Sequence, residues 1–249
     1  MEQQTVQNRI EQTGEDLSPV YALLKKPSLI DYPGRMCRVM FISGCNMRCF
    51  FCHNTVLAEP QKNFIAWSRL EQTLLASRVQ WVDSVCISGG EPTLHPQLLD
   101  LISRVRDLGF RVKLDTNGSM PEILSSALTQ VDYVAMDYKA PLARYAEISG
   151  CRTLERNKIV ESVKLITESG VDYEFRTTIV EDWHREEDMH AIGRELSGAR
   201  RYRIQGYVPP RHGEGPVNGR PLKRTSMKTL KRYEKISREY FPETFIRGG

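Results

Sequence analysis

The sequence contains no long apolar run, which excludes several classes of protein at the outset. Nowhere do about 18 consecutive apolar residues occur, so no membrane-spanning helix is predicted. The first residues are polar and lack the apolar segment of a secretory signal, so no signal peptide is predicted. We therefore expect a cytoplasmic protein with no membrane partner.

An excess of charge of one sign is also missing. The 249 residues include 35 Lys and Arg against 31 Asp and Glu, and the net charge is +4. Basic residues form only small clusters, at Lys25-Lys26, Arg200–Arg203 and Lys223–Arg232, which are typical of solvated surface. A nucleic-acid partner is therefore not required. Hydrophobic residues make up 40% and charged residues 27%, an ordinary composition for one globular domain.

Internal repeats and low-complexity tracts are absent as well. Residues 1–26 are polar with little periodicity, which predicts an amino-terminal extension with a short helix near Val20–Lys25. After it, Leu29-Ile30 and Arg38–Ile42 are predicted to form a hairpin around a turn at Asp31–Gly34.

Residues 27–249 are predicted to form one core domain in which strands and helices alternate. The predicted strands are Val82–Ser88, Phe110–Asp115, Tyr133–Asp137, Tyr173–Val180 and Arg201–Gln205, with Thr244–Ile246 as a closing strand. The predicted helices are Ser68–Ser77 (opened by a capping box with Glu71), Leu98–Leu108, Pro121–Leu128, Glu155–Ser169, Glu186–Leu196 and Met227–Tyr240. This alternation predicts βαβ units and a parallel sheet, either open or closed into a partial barrel.

The predicted strands have one apolar and one ionic face. In the second of them, Arg111, Lys113 and Asp115 alternate with apolar residues. Glu174 and Arg176 alternate in the same way later in the chain. We interpret these charges as the lining of a barrel-like sheet that holds a polar ligand. The alternative is that they lie on an exposed sheet face.

Cysteine is sparse, and three of the six cysteines lie on one short loop. Cys45, Cys49 and Cys52 have the spacing C-x3-C-x2-C directly after a predicted strand. Three thiolates can bind three irons of a cubane cluster and leave the fourth iron open. The neighbouring Phe51 could shield the cluster or stack on an adenine. The alternative is a zinc site completed by His53 or a distant cysteine, although no second C-x2-C pair exists.

A glycine pair follows the next predicted strand. Gly89 and Gly90 precede Glu91 and Pro92, and glycines allow a backbone to approach a ligand closely. The backbone and the Glu91 carboxylate could engage an amino group. Taken alone, an ordinary turn is the simpler interpretation.

These features together resemble the radical S-adenosylmethionine (SAM) superfamily, and more closely its glycyl-radical-enzyme activases. The matching segments cover residues 28–140 well, and order and spacing agree to about residue 207. They are Asp31–Arg35, Cys52-His53-Asn54, Gly89–Pro92, Asp115–Gly118 and Asp137-Tyr138-Lys139. The resemblance implies an α/β fold, a partial (β/α)6 TIM-like barrel. The best subgroup match is the longer form of anaerobic ribonucleotide-reductase activating protein, a relative of pyruvate formate-lyase activating enzyme.

Two departures narrow the subgroup. Asp31-Tyr32-Pro33-Gly34 differs from the Asp-Gly-Pro-Gly of pyruvate formate-lyase activases, which favours the reductase-type subgroup but does not identify the partner. No cysteine-rich insert lies between Asn54 and Ser68, so auxiliary clusters are not expected.

The resemblance also implies roles for individual residues. Cys45, Cys49 and Cys52 would hold a [4Fe–4S] cluster. The SAM amino group would be held by Gly89, Gly90 and Glu91. A monovalent cation beside the SAM carboxylate would be bound by Asp115, Thr116 and Asp137, and Lys139 and Arg176 would add positive charge there. No catalytic acid or base is required.

The resemblance implies an oxidoreductase of anaerobic metabolism that generates a glycyl radical on a large partner enzyme, with anaerobic ribonucleotide reductase as the expected partner. A flavodoxin or ferredoxin-type protein would supply the electron. A radical SAM enzyme that modifies a peptide, an RNA or a small molecule is the alternative, and a zinc-stabilised interaction module is a third hypothesis. The basic segment 208–225 is predicted to be a cover, a docking loop or a plain linker.

Overall fold

The computed structural model describes residues 16–209 and 222–247, and within it the chain forms two compact units. The first comprises residues up to 45, 56–115 and 126–133. The second comprises residues 46–55, 116–125 and those from 134 onward. Most of the segment 208–225 lies outside the described residues, as does much of the predicted extension 1–26, so the domain boundary at residue 27 stays a prediction.

The first unit is built around strands β1 to β4 in chain order. They are β1 (Val20–Leu23), β2 (Cys37–Ile42), β3 (Ser84–Gly89) and β4 (Arg111–Thr116, whose last residue belongs to the second unit). β1 pairs antiparallel with β2, whereas β2, β3 and β4 pair in parallel. Helices α1 (Thr55–Ala58), α2 (Trp67–Arg78) and α3 (Leu98–Asp107) and a 3-10 turn (Pro92–Leu94) connect them.

The second unit continues the strand and helix alternation. Its strands are β5 (Tyr133–Asp137), β6 (Asp172–Ile179), β7 (Arg201–Gly206) and β8 (Glu243–Arg247), and β6, β7 and β8 pair in parallel. The helices are α4 (Pro121–Leu128, shared with the first unit), α5 (Tyr145–Ser149), α6 (Arg156–Glu168), α7 (Glu186–Glu195) and α8 (Met227–Ser237). The predicted α/β class is confirmed, and the predicted core strands and most of the helices are found within a few residues of their expected bounds.

The start of the described chain differs from the prediction. Val20–Leu23 is the strand β1 and not a helix, because its backbone pairs with β2. Leu29 and Ile30 are not a strand of a hairpin; each is 69% exposed and belongs to a bent loop. The predicted turn at Asp31–Gly34 is present and is closed by a bond from the Arg35 amide to the Tyr32 carbonyl, 3.2 Å.

The capping box predicted at Ser68 and Glu71 is also wrong. The residue before α2 is Ala66, which makes no side-chain cap bond. Ala66 pairs with Leu17 in an antiparallel bridge, and the Trp67 amide bonds to the Asp16 carbonyl at 2.8 Å. The helix therefore begins where this long-range pairing ends.

Charged side chains on the predicted ionic faces are buried. Lys113 and Glu174 are each 1% exposed, and Arg176 is 7% exposed. Within the second unit, Glu174 accepts bonds from the Arg203 guanidinium, at 2.8 Å from Nε and 2.7 Å from Nη2. Buried charges persist only when they are paired. Arg111, at the start of β4, is exposed. Lys113 in the first unit, and Glu174 and Arg176 in the second, are therefore buried and do not lie on an exposed sheet face.

No helix among the described residues has both the length and the apolar character needed to cross a membrane.

Candidate functional site

The first part of the cysteine loop, in the first unit, is fixed by the backbone of α1. The Gly44 amide donates to the Leu57 carbonyl at 2.8 Å, and the Cys45 amide donates to the Ala58 carbonyl at 3.0 Å. Gly44 has a φ of +95°, a conformation that favours glycine. Cys45 is thus held at the end of β2 by main-chain bonds that do not involve its thiol.

The second part of the loop belongs to the second unit and packs against the end of α5. The Arg48 amide donates to the Ser149 carbonyl at 2.8 Å. A Cβ on Gly150 would lie 2.3 Å from the Arg48 carbonyl oxygen, so only glycine permits this approach. The Cys52 amide donates to the Cys49 carbonyl at 3.0 Å, which forms a tight turn between these two cysteines.

Aromatic side chains bury the loop around Cys49. Phe50 and Phe51 are each 5% exposed, and their rings meet edge to face at 5.2 Å between centroids. Phe50 also packs on Trp183, with centroids 4.2 Å apart. This packing suits the shielding role expected of Phe51 and brings in Phe50 and Trp183, which the sequence did not single out.

Polar side chains tie the loop to the residues that follow β4. Asn46 Nδ2 donates to Ser119 Oγ at 2.9 Å, and Asn117 Nδ2 donates to Asn46 Oδ1 at 3.1 Å. Thr116 is 3% exposed, and its hydroxyl accepts the Gly118 amide at 3.0 Å. Sequence analysis missed the role of Asn46; its place between Cys45 and Cys49 was the available signal.

The glycine pair has a packing role beside the expected contact with the SAM amino group, which stays a prediction. A Cβ on Gly89 would lie 2.1 Å from the Ile42 carbonyl oxygen, and a Cβ on Gly90 would lie 2.1 Å from that of Gly44. The Gly90 amide bonds to the Ile42 carbonyl and the Glu91 amide to the Gly44 carbonyl, each at 2.8 Å. The absence of side chains at Gly89 and Gly90 therefore allows the end of β3 to pack closely against the backbone at the start of the cysteine loop.

Glu91 is buried at 1% exposure and caps the short 3-10 turn after β3. Its Oε1 accepts the Thr93 amide at 3.1 Å and the Thr93 hydroxyl at 2.5 Å. The carboxylate thus has a structural partner in Thr93, and its expected contact with the SAM amino group stays a prediction.

Asp115, in the first unit, is bonded to side chains of its own sheet. Its Oδ1 accepts from the Lys113 ammonium, and its Oδ2 accepts from the Ser88 hydroxyl at 3.1 Å. Lys113 also lies 3.7 Å from the sulfur of Cys86. Burial raises the pKa of the Cys86 thiol well above its usual range.

Asp137, in the second unit, lies between two cations. Its Oδ1 accepts from Arg176 Nε at 2.7 Å and its Oδ2 from Lys139 Nζ at 2.8 Å. Burial acts to raise the pKa of Asp137, but the charges of Arg176 and Lys139 outweigh it and hold that pKa well below its usual range.

The charge of Lys139 interacts both with Asp137 and with Cys49 of the cysteine loop. Burial acts to lower the pKa of Lys139, but the charges of Asp137 and Cys49 raise it above its usual value. The electrostatic influence of Cys49 on Lys139 places a predicted cluster ligand near the Asp137, Lys139 and Arg176 group. A cation there also favours the thiolate form that metal binding requires.

The described residues contain no group of three or more His, Cys, Asp or Glu side chains gathered to hold a metal ion. The assignment of Cys45, Cys49 and Cys52 as ligands therefore stays a prediction. The donor set itself fits an iron–sulfur cluster, since the sequence places three cysteines on one short loop.

A model of the family described as the radical SAM superfamily matches residues 39–192. The chain belongs to this superfamily. The cysteine loop, Gly89–Glu91 and the Asp137 group all lie inside the matched range, and radical SAM membership implies both a [4Fe–4S] cluster and SAM. The protein is accordingly a radical SAM enzyme.

Two curated relatives are informative. The chain is 32% identical over 226 residues to a Methanocaldococcus jannaschii protein named "Putative glycyl-radical enzyme activating enzyme", covering 88% of this chain and 92% of that protein. It is 31% identical over 141 residues to a "Probable GTP 3',8-cyclase" of Sulfurisphaera tokodaii, covering 54% of this chain and 43% of that protein. The first likeness extends over nearly the whole of both chains, and the second over about half.

A solved structure supports the fold. The chain superposes on Streptococcus suis SuiB bound to S-adenosylmethionine with a TM-score of 0.63 and 17% identity, over 82% of this chain and 48% of SuiB. The chain thus spans about half the length of SuiB, and the likeness shows the fold alone. That fold is the α/β partial barrel of radical SAM enzymes that the sequence predicts.

Proposed function

We propose that this chain is an activase that reductively cleaves SAM at a [4Fe–4S] cluster and generates a glycyl radical on a partner enzyme. The observation that carries the proposal is the 32% identity to a protein named as a glycyl-radical enzyme activating enzyme, over 88% of this chain and 92% of that one. A likeness of this extent includes the segments outside the superfamily's shared core.

Cys45, Cys49 and Cys52 would hold the cluster, and its open iron would face the SAM amino and carboxylate groups. One electron from the donor would split SAM into methionine and a 5′-deoxyadenosyl radical, which would take a hydrogen atom from a partner glycine to leave 5′-deoxyadenosine and the glycyl radical.

The protein's own groups would orient SAM and exclude water. Gly89 and Gly90 would present their backbone to the SAM amino group, and the Glu91 carboxylate would accept from it. Arg176 and Lys139 would attract the SAM carboxylate, because the Asp137 group carries two cations for one anion. Phe50 and Phe51 would keep water from the cluster.

The expected partner is anaerobic ribonucleotide reductase, and the expected electron donor is a flavodoxin or ferredoxin-type protein. Both follow from the resemblance of Asp31–Gly34 and the other quoted motifs to the reductase-type activases. A cytoplasmic, anaerobic setting goes with this proposal, since a cluster with an open iron is sensitive to oxygen.

A radical SAM enzyme acting on a small molecule is the second candidate. The likeness to a protein named as a GTP 3',8-cyclase supports it, but that likeness covers 43% of the relative. A cyclase would consume a nucleotide without any protein partner, so the substrate separates the two candidates.

The experiment is anaerobic reconstitution with iron and sulfide, followed by reduction with SAM and each candidate substrate. We expect a brown protein with broad absorbance at about 400 nm, release of 5′-deoxyadenosine, and a glycine-centred radical signal in electron paramagnetic resonance when the partner enzyme is present. Turnover of GTP with no glycyl radical on any co-encoded large enzyme would overturn the activase proposal. A colourless zinc protein that leaves SAM intact would overturn both candidates.

A further inference from the structure

The two acids expected to bind a monovalent cation already have cationic side chains as partners. In the first unit the Lys113 ammonium is bonded to Asp115, and in the second unit Lys139 and Arg176 are bonded to Asp137. A bound cation would have to compete with these groups.

The pairing of Lys113 with Asp115 is built into β4. The two residues are two apart on one strand, so their side chains lie on the same face. Lys113 is 1% exposed, and an ammonium so buried is retained only when an anion neutralises it. Since Ser88 donates to the second Asp115 oxygen at 3.1 Å, both oxygens of this carboxylate are engaged within its own unit.

Asp137 is equally unsuited to a cation. Arg176 takes one oxygen at 2.7 Å and Lys139 the other at 2.8 Å, which leaves this small group with a formal charge of +1. A positive group repels a metal cation. The residues therefore do not fit the monovalent-cation site that the resemblance implies.

We infer that this enzyme needs no monovalent cation, and that the Lys113 ammonium supplies at Asp115 the positive charge such an ion would bring. This rests on the proposed cleavage of SAM, because the buried Lys113 would act on the SAM carboxylate through Asp115. Lys113 is then a positioning residue for SAM, acting through Asp115.

The test compares the wild type with Lys113→Met, which keeps the length of the side chain and removes its charge. SAM affinity of the reconstituted protein is measured by equilibrium dialysis in potassium and in choline salts at equal ionic strength. We expect the SAM affinity of the wild type to differ by less than about twofold between potassium and choline. In choline the variant should bind SAM about tenfold more weakly or worse, as expected for loss of a charged hydrogen bond, and potassium should restore most of the loss.

The melting temperature of the cluster-free protein gives a second readout. Potassium, close in size to an ammonium, should raise the melting temperature of Lys113→Met relative to choline and leave that of the wild type unchanged. Lys164→Met, at an exposed position of α6, is the matched control and should behave as the wild type.

If Lys113→Met does not fold, the double variant Lys113→Met/Asp115→Asn removes both charges. It should fold and bind SAM with no cation dependence. Stronger SAM binding by the wild type in potassium than in choline, or an unchanged and cation-indifferent SAM affinity in the single variant, would overturn the inference. A cation-dependent SAM affinity in the double variant would overturn it as well. No partner enzyme enters these measurements, so failure of the proposed function at the glycyl-radical step is seen separately.

Discussion

Gly90 lies so close to Gly44 that a Cβ on Gly90 would come within 2.1 Å of the Gly44 carbonyl oxygen. The Glu91 amide donates to that same carbonyl at 2.8 Å. The residue before the first cysteine of the loop is thus clamped by the residues that follow β3. Two motifs that lie far apart in the sequence share one backbone contact.

Substitution of Gly90 by alanine should disrupt the close contact between Gly90 and the Gly44 carbonyl. The added methyl group meets backbone atoms, which cannot swing away as a side chain can, so we expect Gly90→Ala to cost about 3 kcal/mol or more of unfolding free energy. Chemical denaturation of the cluster-free protein measures it. Gly170→Ala is the control: Gly170 has a φ of +74° but nothing within 4 Å, so only backbone strain of about 1–2 kcal/mol is expected. Equal costs for the two variants would contradict the clamp.

One substitution can separate the observed capping role of Glu91 from its proposed role in binding SAM. Gln can still accept the Thr93 amide, so Glu91→Gln should lower the unfolding free energy by about 1 kcal/mol or less. It cannot pair with a charged amino group, so SAM affinity should fall about tenfold. Thr93→Ala is the converse, because it removes the hydroxyl that donates to Glu91 Oε1 and should leave SAM affinity within about twofold. A Glu91→Gln protein that binds SAM normally would reduce Glu91 to a cap.

The cysteine trio should be separable from the other cysteines by iron content. We expect Cys45→Ala, Cys49→Ala and Cys52→Ala each to lose the cluster, because no iron can lose a thiolate ligand without weakening the cubane. Cys151→Ala, at a half-buried position on the α5 side of the second unit, should retain wild-type iron and absorbance. Iron and sulfide analysis after anaerobic reconstitution checks this. Full iron content in any variant of the trio would remove that residue from the ligand set.

Elements with a strong local pattern were predictable from the sequence. The apolar series Leu98, Leu101, Ile102 and Val105 is buried on α3, which ends before Gly109 with φ +79°, as its periodicity and end signal indicate. The strand β1 was not predictable, since its four residues acquire strand conformation by pairing with β2. Leu17 and Ala66 fix the start of α2 by a bridge that no local motif encodes.

In the candidate site too, local features were predictable from the sequence and long-range contacts were not. The spacing of Cys45, Cys49 and Cys52 is local, and so is the placement of Lys113 and Asp115 on one face of β4; the latter pair could have been recognised from alternation alone. The approach of Gly90 to Gly44 is long-range and depends on how two loops meet. The glycine pair was therefore recognised from the sequence, although its close approach to Ile42 and Gly44 was not.

His184 is buried at 1% exposure and connects two backbone segments of the second unit. Its Nδ1 accepts the Val180 amide at 3.1 Å, and its Nε2 donates to the Lys139 carbonyl at 3.0 Å. Burial lowers the pKa of His184 below its usual value, and the ring stays neutral. The imidazole thereby fixes the backbone of Lys139, whose ammonium is bonded to Asp137.

This burial makes stability depend on pH with a definite sign. At pH values between the lowered pKa of His184 in the folded state and its ordinary value of about 6.5, His184 is protonated in the unfolded chain and neutral in the folded protein. The stability that the neutral His184 confers is therefore complete above about pH 7 and decreases as the pH falls through 6.5, by at most about 1.4 kcal/mol per pH unit.

His184→Gln has no such titration, so the difference in unfolding free energy between wild type and variant should shrink from pH 8 to pH 5.5. Denaturant titrations of the cluster-free proteins measure it. A difference that stays constant over this range would show that His184 titrates alike in both states.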